Sequence, residues 1–574
     1  MPTSALTTDT RQAALEAMAG DQELDVLVVG GGVTGAGIAL DAATRGLRVG
    51  IIDAQDWSCG TSSRSSRLVH GGLRYLYNLD FKLVAEALTE RSRLLTVTAP
   101  HLVKAQPFLW PLKMPVIERS YSAIGVGMYD ALAIAGAGMK RTVPTQKHLT
   151  KKGAQELFPD VRDDALIGAI RFYDARVDDS RLVITLVRTA QKHGACAASR
   201  TELVETTRDP AGRVSGAVVR DLETGATHTI RAKETILATG VWTEETQART
   251  GSNAGLKVLA SKGIHIVIPK DRIKGSTGIF LRTEKSVLFI IPWPDHWIIG
   301  TTDTPWTEEL QHPVATKADI DYVLDHANAV LSSNLTHDDI IGTSAGLRPL
   351  LQPGTKGDGQ SAKVSREHTV TRIAPGVSSI AGGKLTTYRV MAEDAVDFAL
   401  GKRKAKSLPS VTKNLPLVGA EGYTAFERRA PRIAEKYGWG SERLDHLLMR
   451  YGSALEELTA MIDDDPSLNE PLATAPDYLK AEVAYAVTHE GALHLEDILM
   501  HRVRLRYSRR DRGVNSLDEI GTIAGPLLGM DDSTLEHEKS NYRAVAAAED
   551  AAEQTTTDAQ ASAARMAVPD LLPL

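Results

Sequence analysis

The chain has 574 residues, 43% of them hydrophobic and 24% charged, with a formal net charge of -6. This length exceeds what one core can organise and implies two or three domains, while the acidic balance argues against a nucleic-acid protein, which would carry a basic excess. Two cysteines, Cys59 and Cys196, exclude a disulfide framework and a cysteine-built metal site and fit a reducing compartment.

Residues 1–24 hold acids and no apolar targeting core, so they read as an exposed helical lead-in and not as a secretory signal. A dinucleotide signature follows. Residues 26–29 read as a buried parallel strand; Gly30 then allows a tight turn, Gly32 lets the backbone approach a pyrophosphate, and Gly35 lets the next helix pack on its strand. A second strand, residues 47–52, ends at Asp53, where a carboxylate can accept hydrogen bonds from a ribose.

Residues 59–76 carry small hydroxyls, among them Thr61, Ser62 and Ser63, that suit phosphate or ribityl oxygens. Gly71 and Gly72 in the same run allow backbone to lie against a planar ring, which suits a flavin better than a nicotinamide. Arg74 and Tyr75 follow directly and would bring a cation and a phenol beside that ring. An amphipathic helix is expected over 76–95.

Residues 122–139 are apolar apart from Asp130 and are flanked by Lys113, Arg119, Lys140 and Arg141. Such a helix can lie in one membrane leaflet or cross the interior of a domain, and the residues leave both open. Residues 177–194 predict an amphipathic helix capped by Asp178 or Asp179 and ended by Gly194. A hairpin is expected around Thr224 and Gly225, then a strand ending in the Ala-Thr-Gly turn at Gly240. Residues 257–306 alternate in the manner of an antiparallel sheet, with His265 inside its first strand. Gly382, Gly383 and Lys384 are read as opening a helix that runs through Leu385 and Thr386.

Beyond residue 407 the chain becomes helical and charge-rich. Arg502, Arg504, Arg506, Arg509 and Arg510 form a basic run, read as a solvated or internally paired face. The last stretch is read as a mobile tail or a loosely docked helix.

The motifs GGGVTGAGIALDAATRG, SSRLVHGGLRYL, GTTDT, GLRPL and GGKLTTYR, in this order, resemble the FAD-dependent, respiratory glycerol-3-phosphate dehydrogenases within the D-amino-acid-oxidase-like flavoproteins. The resemblance runs from about residue 25 to 399 and more loosely beyond; Asp53 stands where many relatives have glutamate. It implies an α/β protein in which a Rossmann-like FAD-binding domain (25–105, 177–250 and 340–400) interleaves with an antiparallel-sheet substrate domain (106–176 and 251–339). A helical C-terminal domain (407–530) and a tail (531–574) would follow. It further implies oxidation of sn-glycerol 3-phosphate, with electrons passing to a membrane quinone; a glycerol-3-phosphate oxidase using oxygen is the alternative.

On this resemblance FAD contacts are expected at Gly30, Gly32, Gly35, Asp53, Thr61, Ser62, Ser63, Gly71, Gly72, Leu73, Gly240, Gly383, Lys384, Leu385 and Thr386. Arg74, Tyr75, Arg348, Arg366 and Lys384 are expected to bind the substrate, because a phosphate dianion needs several donors. His265 is the first choice of base near neutral pH, and Arg348, which stays protonated, is suited to a developing oxyanion. Peripheral attachment at the inner face of the plasma membrane, a cytoplasmic location, a homodimer and no metal complete the expectations.

Overall fold

The structure, a computed structural model, describes residues 3–72, 80–114, 117–138, 142–252, 255–283, 287–352 and 368–572, with 117–124 described by backbone alone. Two sheets organise it. The first has the strand order His368–Ala374, Val377–Gly382, Thr227–Leu237, Leu24–Val29, Val49–Ile52, Cys196–Ala198. Four pairings along this path are parallel and the outer pair His368–Ala374 and Val377–Gly382 runs antiparallel, while Thr201–Arg208 and Val214–Asp221 branch off Thr227–Leu237 as antiparallel strands. The central strand Leu24–Val29 is flanked on both sides and almost wholly buried, which explains its apolar run from Val26 to Val29. Helix Val33–Thr44 packs between this sheet and the helices Asp179–Lys192 and Tyr388–Ser407.

Gly35 makes that packing possible. A methyl group added there would sit 1.7 Å from the carbonyl oxygen of Gly30, so helix and turn touch where no other residue fits. The expected helix over 177–194 is present as Asp179–Lys192, with the Asp178 carboxylate accepting from the Arg181 amide and Gly194 following at φ 94°. The hairpin around Thr224 and Gly225 joins Val214–Asp221 to Thr227–Leu237.

The second sheet is built from ten strands and is mostly antiparallel. Gly342–Leu351 pairs with Val258–Pro269 from Val258↔Leu351 to Val267↔Gly342, so it belongs to this sheet although residues 340–400 were assigned to the cofactor domain. Leu68–Val69, inside the first segment assigned to the cofactor domain, likewise pairs with Gly168–Arg176. Both boundaries depend on pairings between distant segments, which local pattern does not report. The stretch Gly382–Lys384 does not open a helix. Gly382 and Gly383 sit at φ 82° and 85°, which is incompatible with a right-handed helix. A 3₁₀ turn, Leu385–Thr387, and then the α-helix from Tyr388 follow.

Residues 122–136 of the apolar segment lie in helix Ile117–Gly136, which buries Val126, Tyr129 and Ala133 in a core shared with Phe108 and Phe172. No helix among the described residues is long and apolar enough to cross a membrane. The N-terminal lead-in is helical, Thr8–Ala19, but it is not simply exposed: Leu15 and Met18 are fully buried, and the Arg11 guanidinium bonds Asp221.

The C-terminal region packs two helical cores, one around Phe426, Leu447 and Tyr485, the other around Leu495, Leu517 and Tyr542. Of the two readings of the tail, the docked helix is the one found. Asp532–Glu553 is one 22-residue helix burying Tyr542, Val545 and Ala546, and the helix Asp558–Met566 follows it. Its acids supply the reason: Glu549, Asp550 and Glu553 pair with Arg512, and Glu549 also takes Arg506. The basic run is thus internally paired. Arg502 grips Asp56 with both guanidinium nitrogens, and Arg504 reaches Asp179 at 3.1 Å and the Ser63 carbonyl at 2.9 Å.

Candidate active site

A cavity of about 390 Å³ opens where the glycine turn, the residues after Asp53 and the Ala-Thr-Gly turn meet. Of the expected cofactor residues, Gly30, Gly32, Asp53, Thr61, Ser62, Gly240, Gly383, Lys384 and Leu385 line it. The amino end of helix Val33–Thr44 faces this wall, so the positive end of its dipole suits a pyrophosphate. The Val33 amide donates to Ser62 Oγ at 2.9 Å, which ties the serine-rich run to the glycine turn.

Asp53 is held by two backbone amides, Gly31 and, at 2.7 Å, Gln55. Burial pushes its carboxyl up to about 6, against those hydrogen bonds. Thr239 Oγ1 lines the same cavity, is buried, and has no hydrogen-bond partner among the described residues. An orphaned hydroxyl, a helix amino end and a carboxylate on one concave wall fit the ribose and phosphate groups of a dinucleotide.

The other expected contacts sit elsewhere. Gly35 lies beneath the turn. Ser63 Oγ donates to the Gly60 carbonyl at 3.3 Å, the Gly71 amide donates to the Tyr129 hydroxyl at 2.7 Å, and Thr386 Oγ1 bonds the backbone of His70 at 3.1 Å. Gly72 adopts φ 77° beside that contact. Leu73, Arg74, Tyr75 and Arg366 lie outside the described residues. Sequence reading missed Gln55, Thr201, Trp242, Arg249 and Gln311, which also line the cavity. Trp242, two residues after Gly240, and Gln55, two after Asp53, carried a positional signal; Arg249 ends the short helix Thr243–Ala248, and Thr201 and Gln311 arrive from a distant strand edge and a loop.

A second cluster gathers His265, Ser66, Thr301 and Arg348. His265 is 3% exposed, and its Nε2 lies 2.9 Å from Ser66 Oγ. Its Nδ1 is buried without a hydrogen-bond partner among the described residues. Arg348 donates to Thr301 Oγ1 at 2.9 Å and to the Thr302 carbonyl at 3.0 Å, and lies 3.4 Å from Asp303. Pro349, which follows it, and Lys384 both line the cofactor cavity, so the two clusters adjoin. Burial, with the charges of Arg348 and Arg67, pushes His265 down to about 3. The imidazole is therefore neutral, and this burial and charge make it a far weaker base than the near-neutral one expected from sequence.

Residues 25–389 match the FAD dependent oxidoreductase family, and residues 410–535 match the C-terminal domain of alpha-glycerophosphate oxidase. The chain is 48% identical over 569 residues to glycerol-3-phosphate dehydrogenase 2 of Mycobacterium bovis, covering 99% of this chain and 96% of that one. It is 35% identical over 543 residues to the human mitochondrial glycerol-3-phosphate dehydrogenase, covering 91% and 73% of the two. Among solved structures, glycerol-3-phosphate dehydrogenase from Bacillus halodurans complexed with FAD superimposes with a TM-score of 0.74 at 27% identity, over 94% of this chain and 97% of that chain.

Proposed function

Given that the chain belongs to the FAD-dependent oxidoreductase family and uses FAD, we propose that it oxidises sn-glycerol 3-phosphate to dihydroxyacetone phosphate and passes the electrons to a membrane quinone. The observation that carries this reading is the 48% identity, along essentially the whole chain, to a protein named for that dehydrogenation. When bound, the flavin supplies the hydride acceptor. In this reading Gly30, Gly32, Asp53, Thr61, Ser62, Leu73, Gly240, Gly383, Lys384 and Leu385 hold it, while Gly35 shapes the turn and Ser63, Gly71, Gly72 and Thr386 support the wall.

The chain's own residues then bind, orient and move a proton. Arg74, Tyr75, Arg348, Arg366 and Lys384 hold the phosphate and glycerol ends through charge-assisted bonds. The arriving dianion offsets the cationic charge that depresses His265, so the imidazole becomes a stronger base when the substrate is present. His265 takes the 2-hydroxyl proton and Arg348 steadies the oxygen as charge develops on it. Contact with a membrane surface is assigned to the apolar helix Ile117–Gly136, whose flanks carry Lys113 and Arg141.

A second reading, a glycerol-3-phosphate oxidase, is favoured by the match of residues 410–535 to the alpha-glycerophosphate oxidase C-terminal domain. One experiment separates them: anaerobic mixing with sn-glycerol 3-phosphate while following flavin absorbance, then addition of a soluble quinone or of oxygen. Bleaching reversed faster by quinone is expected. Faster reversal by oxygen would favour the oxidase, and no bleaching would remove the substrate assignment. In the same assay His265→Asn should slow bleaching by about 10²–10⁴-fold with flavin content unchanged.

A further inference from the structure

A cavity of about 930 Å³ lies between the second sheet and the C-terminal helices, and its inner wall carries Arg67, Lys104 and Arg176. None of the three makes an ion pair among the described residues. Lys104 and Arg176 are directly opposite in the register of Lys104–Leu112 and Gly168–Arg176, so two like charges leave the same face of the sheet side by side. Such a pair is destabilising by itself. Arg67 is 7% exposed, and its guanidinium makes no hydrogen bond among the described residues; with Arg176 it lies over the Trp293 indole, at 5.4 and 5.3 Å.

The other bonds of these cations are weak substitutes for an anion. Arg176 donates to the Pro292 carbonyl at 3.0 Å and leaves Nε buried without a partner, while Lys104 reaches only the Tyr423 hydroxyl at 3.2 Å. Six carboxylates share the lining: Asp295 pairs with His296 at 2.8 Å, Glu427 accepts from the Tyr423 hydroxyl at 2.8 Å, Asp178 accepts from the Arg181 amide at 3.1 Å and Asp477 takes Arg509, while Glu442 and Asp445 stand on helix Ser441–Tyr451. Burial lowers the proton affinity of all three cations, and the carboxylates nearby, Asp178 and Asp179 at Arg67, Glu427 and Asp445 at Lys104 and Asp295 at Arg176, offset it only in part.

We propose that this interdomain cavity is a second binding site, separate from the cofactor cleft, for a small soluble oxyanion carrying two or more negative charges, a phosphate ester or a polycarboxylate. The anion bridges Lys104 and Arg176 and pairs the Arg67 guanidinium, relieving the like-charge contact. Because Arg67 adjoins Ser66 and its charge also acts on His265, occupancy of the cavity reaches the candidate active site electrostatically.

The test is isothermal titration of the FAD-loaded protein with two probes, inorganic pyrophosphate and citrate. Saturable binding of at least one is expected, and the better of the two tells phosphate from carboxylate chemistry. Lys104→Gln with Arg176→Gln should weaken it about tenfold or more, while Arg348→Ala, in the other pocket, leaves it unchanged. Without the anion, Lys104→Gln alone should raise the thermal midpoint, and the rise that the probe gives the wild type should vanish. If the double variant does not fold, titration of Arg348→Ala decides alone: binding supports the site, and no binding overturns it. Binding lost with Arg348 and kept in the double variant would overturn it as well.

Discussion

The cofactor cleft and the C-terminal region both join segments hundreds of residues apart, by opposite means. At the cleft, contact is made by leaving atoms out: Gly35 lets a helix touch the Gly30 carbonyl. In the C-terminal region contact is made by burying charge in pairs. Arg502 and Asp56, with side chains 1% and 2% exposed, lock a C-terminal segment onto the loop after the second cofactor strand. The first kind of joint is specific because nothing else fits. The second is specific because nothing else neutralises it.

The sharpest way to break this contrast is at Gly35. Gly35→Ala should leave a protein that retains no flavin, read from the ratio of flavin to protein absorbance, because the added methyl must displace backbone. Full flavin retention would show that the turn adapts. The next effect lies on the other side. Arg502→Met strands the buried Asp56 carboxylate and should cost about 3–5 kcal/mol in denaturant unfolding, much of it recovered when Asp56→Asn is added. No recovery in the double variant would mean that packing, and not charge, holds the joint.

The smallest effect follows pH. His494 bonds Glu538 at 2.8 Å and Glu223 at 3.0 Å, tying the long tail helix to the cofactor-domain hairpin. Burial opposes its charge, but those bonds and Asp497 raise it to about 10. The unfolded imidazole titrates near 6.5, so this stabilisation is complete below that pH and is lost as pH rises through about 10. At the cleft the sign is the same but the window is lower: burial holds Asp53 at about 6 against 3.8, so its share of stability falls as pH rises between the two. His494→Gln should cost about 1.5–3 kcal/mol at neutral pH and flatten the alkaline loss. An unchanged alkaline limb would assign that loss to other groups.

The same contrast explains what could be read in advance. The strand, turn and helix of the cleft follow from local spacing, and so do the helix capped by Asp178 and the hairpin at Gly225. Asp53, Thr61 and Ser62 were legible because they stand at fixed distances from those elements. The Arg502–Asp56 grip spans the chain, and no period or motif announces it; the basic run showed only that charges were present. Docking of the tail stayed one of two readings for a related reason: its alanines and acids look solvated until Arg506 and Arg512 are placed beneath them. His265 was found by position, but its weak basicity depends on burial and on the charges of Arg348 and Arg67, which lie on other segments.

The strand order of the first sheet sets a timetable for synthesis. Leu24–Val29 meets one neighbour, Val49–Ile52, soon after it emerges, but its other neighbour, Thr227–Leu237, follows about 200 residues later. At ribosomal speeds of roughly 5–20 residues per second, that edge waits on the order of 10–40 s for its partner. During that interval the buried central strand of the cleft presents an open hydrogen-bonding row in the nascent chain, and the lining of the cleft, which runs on through Gly383, Lys384 and Leu385, is completed only after Val377–Gly382 has been made.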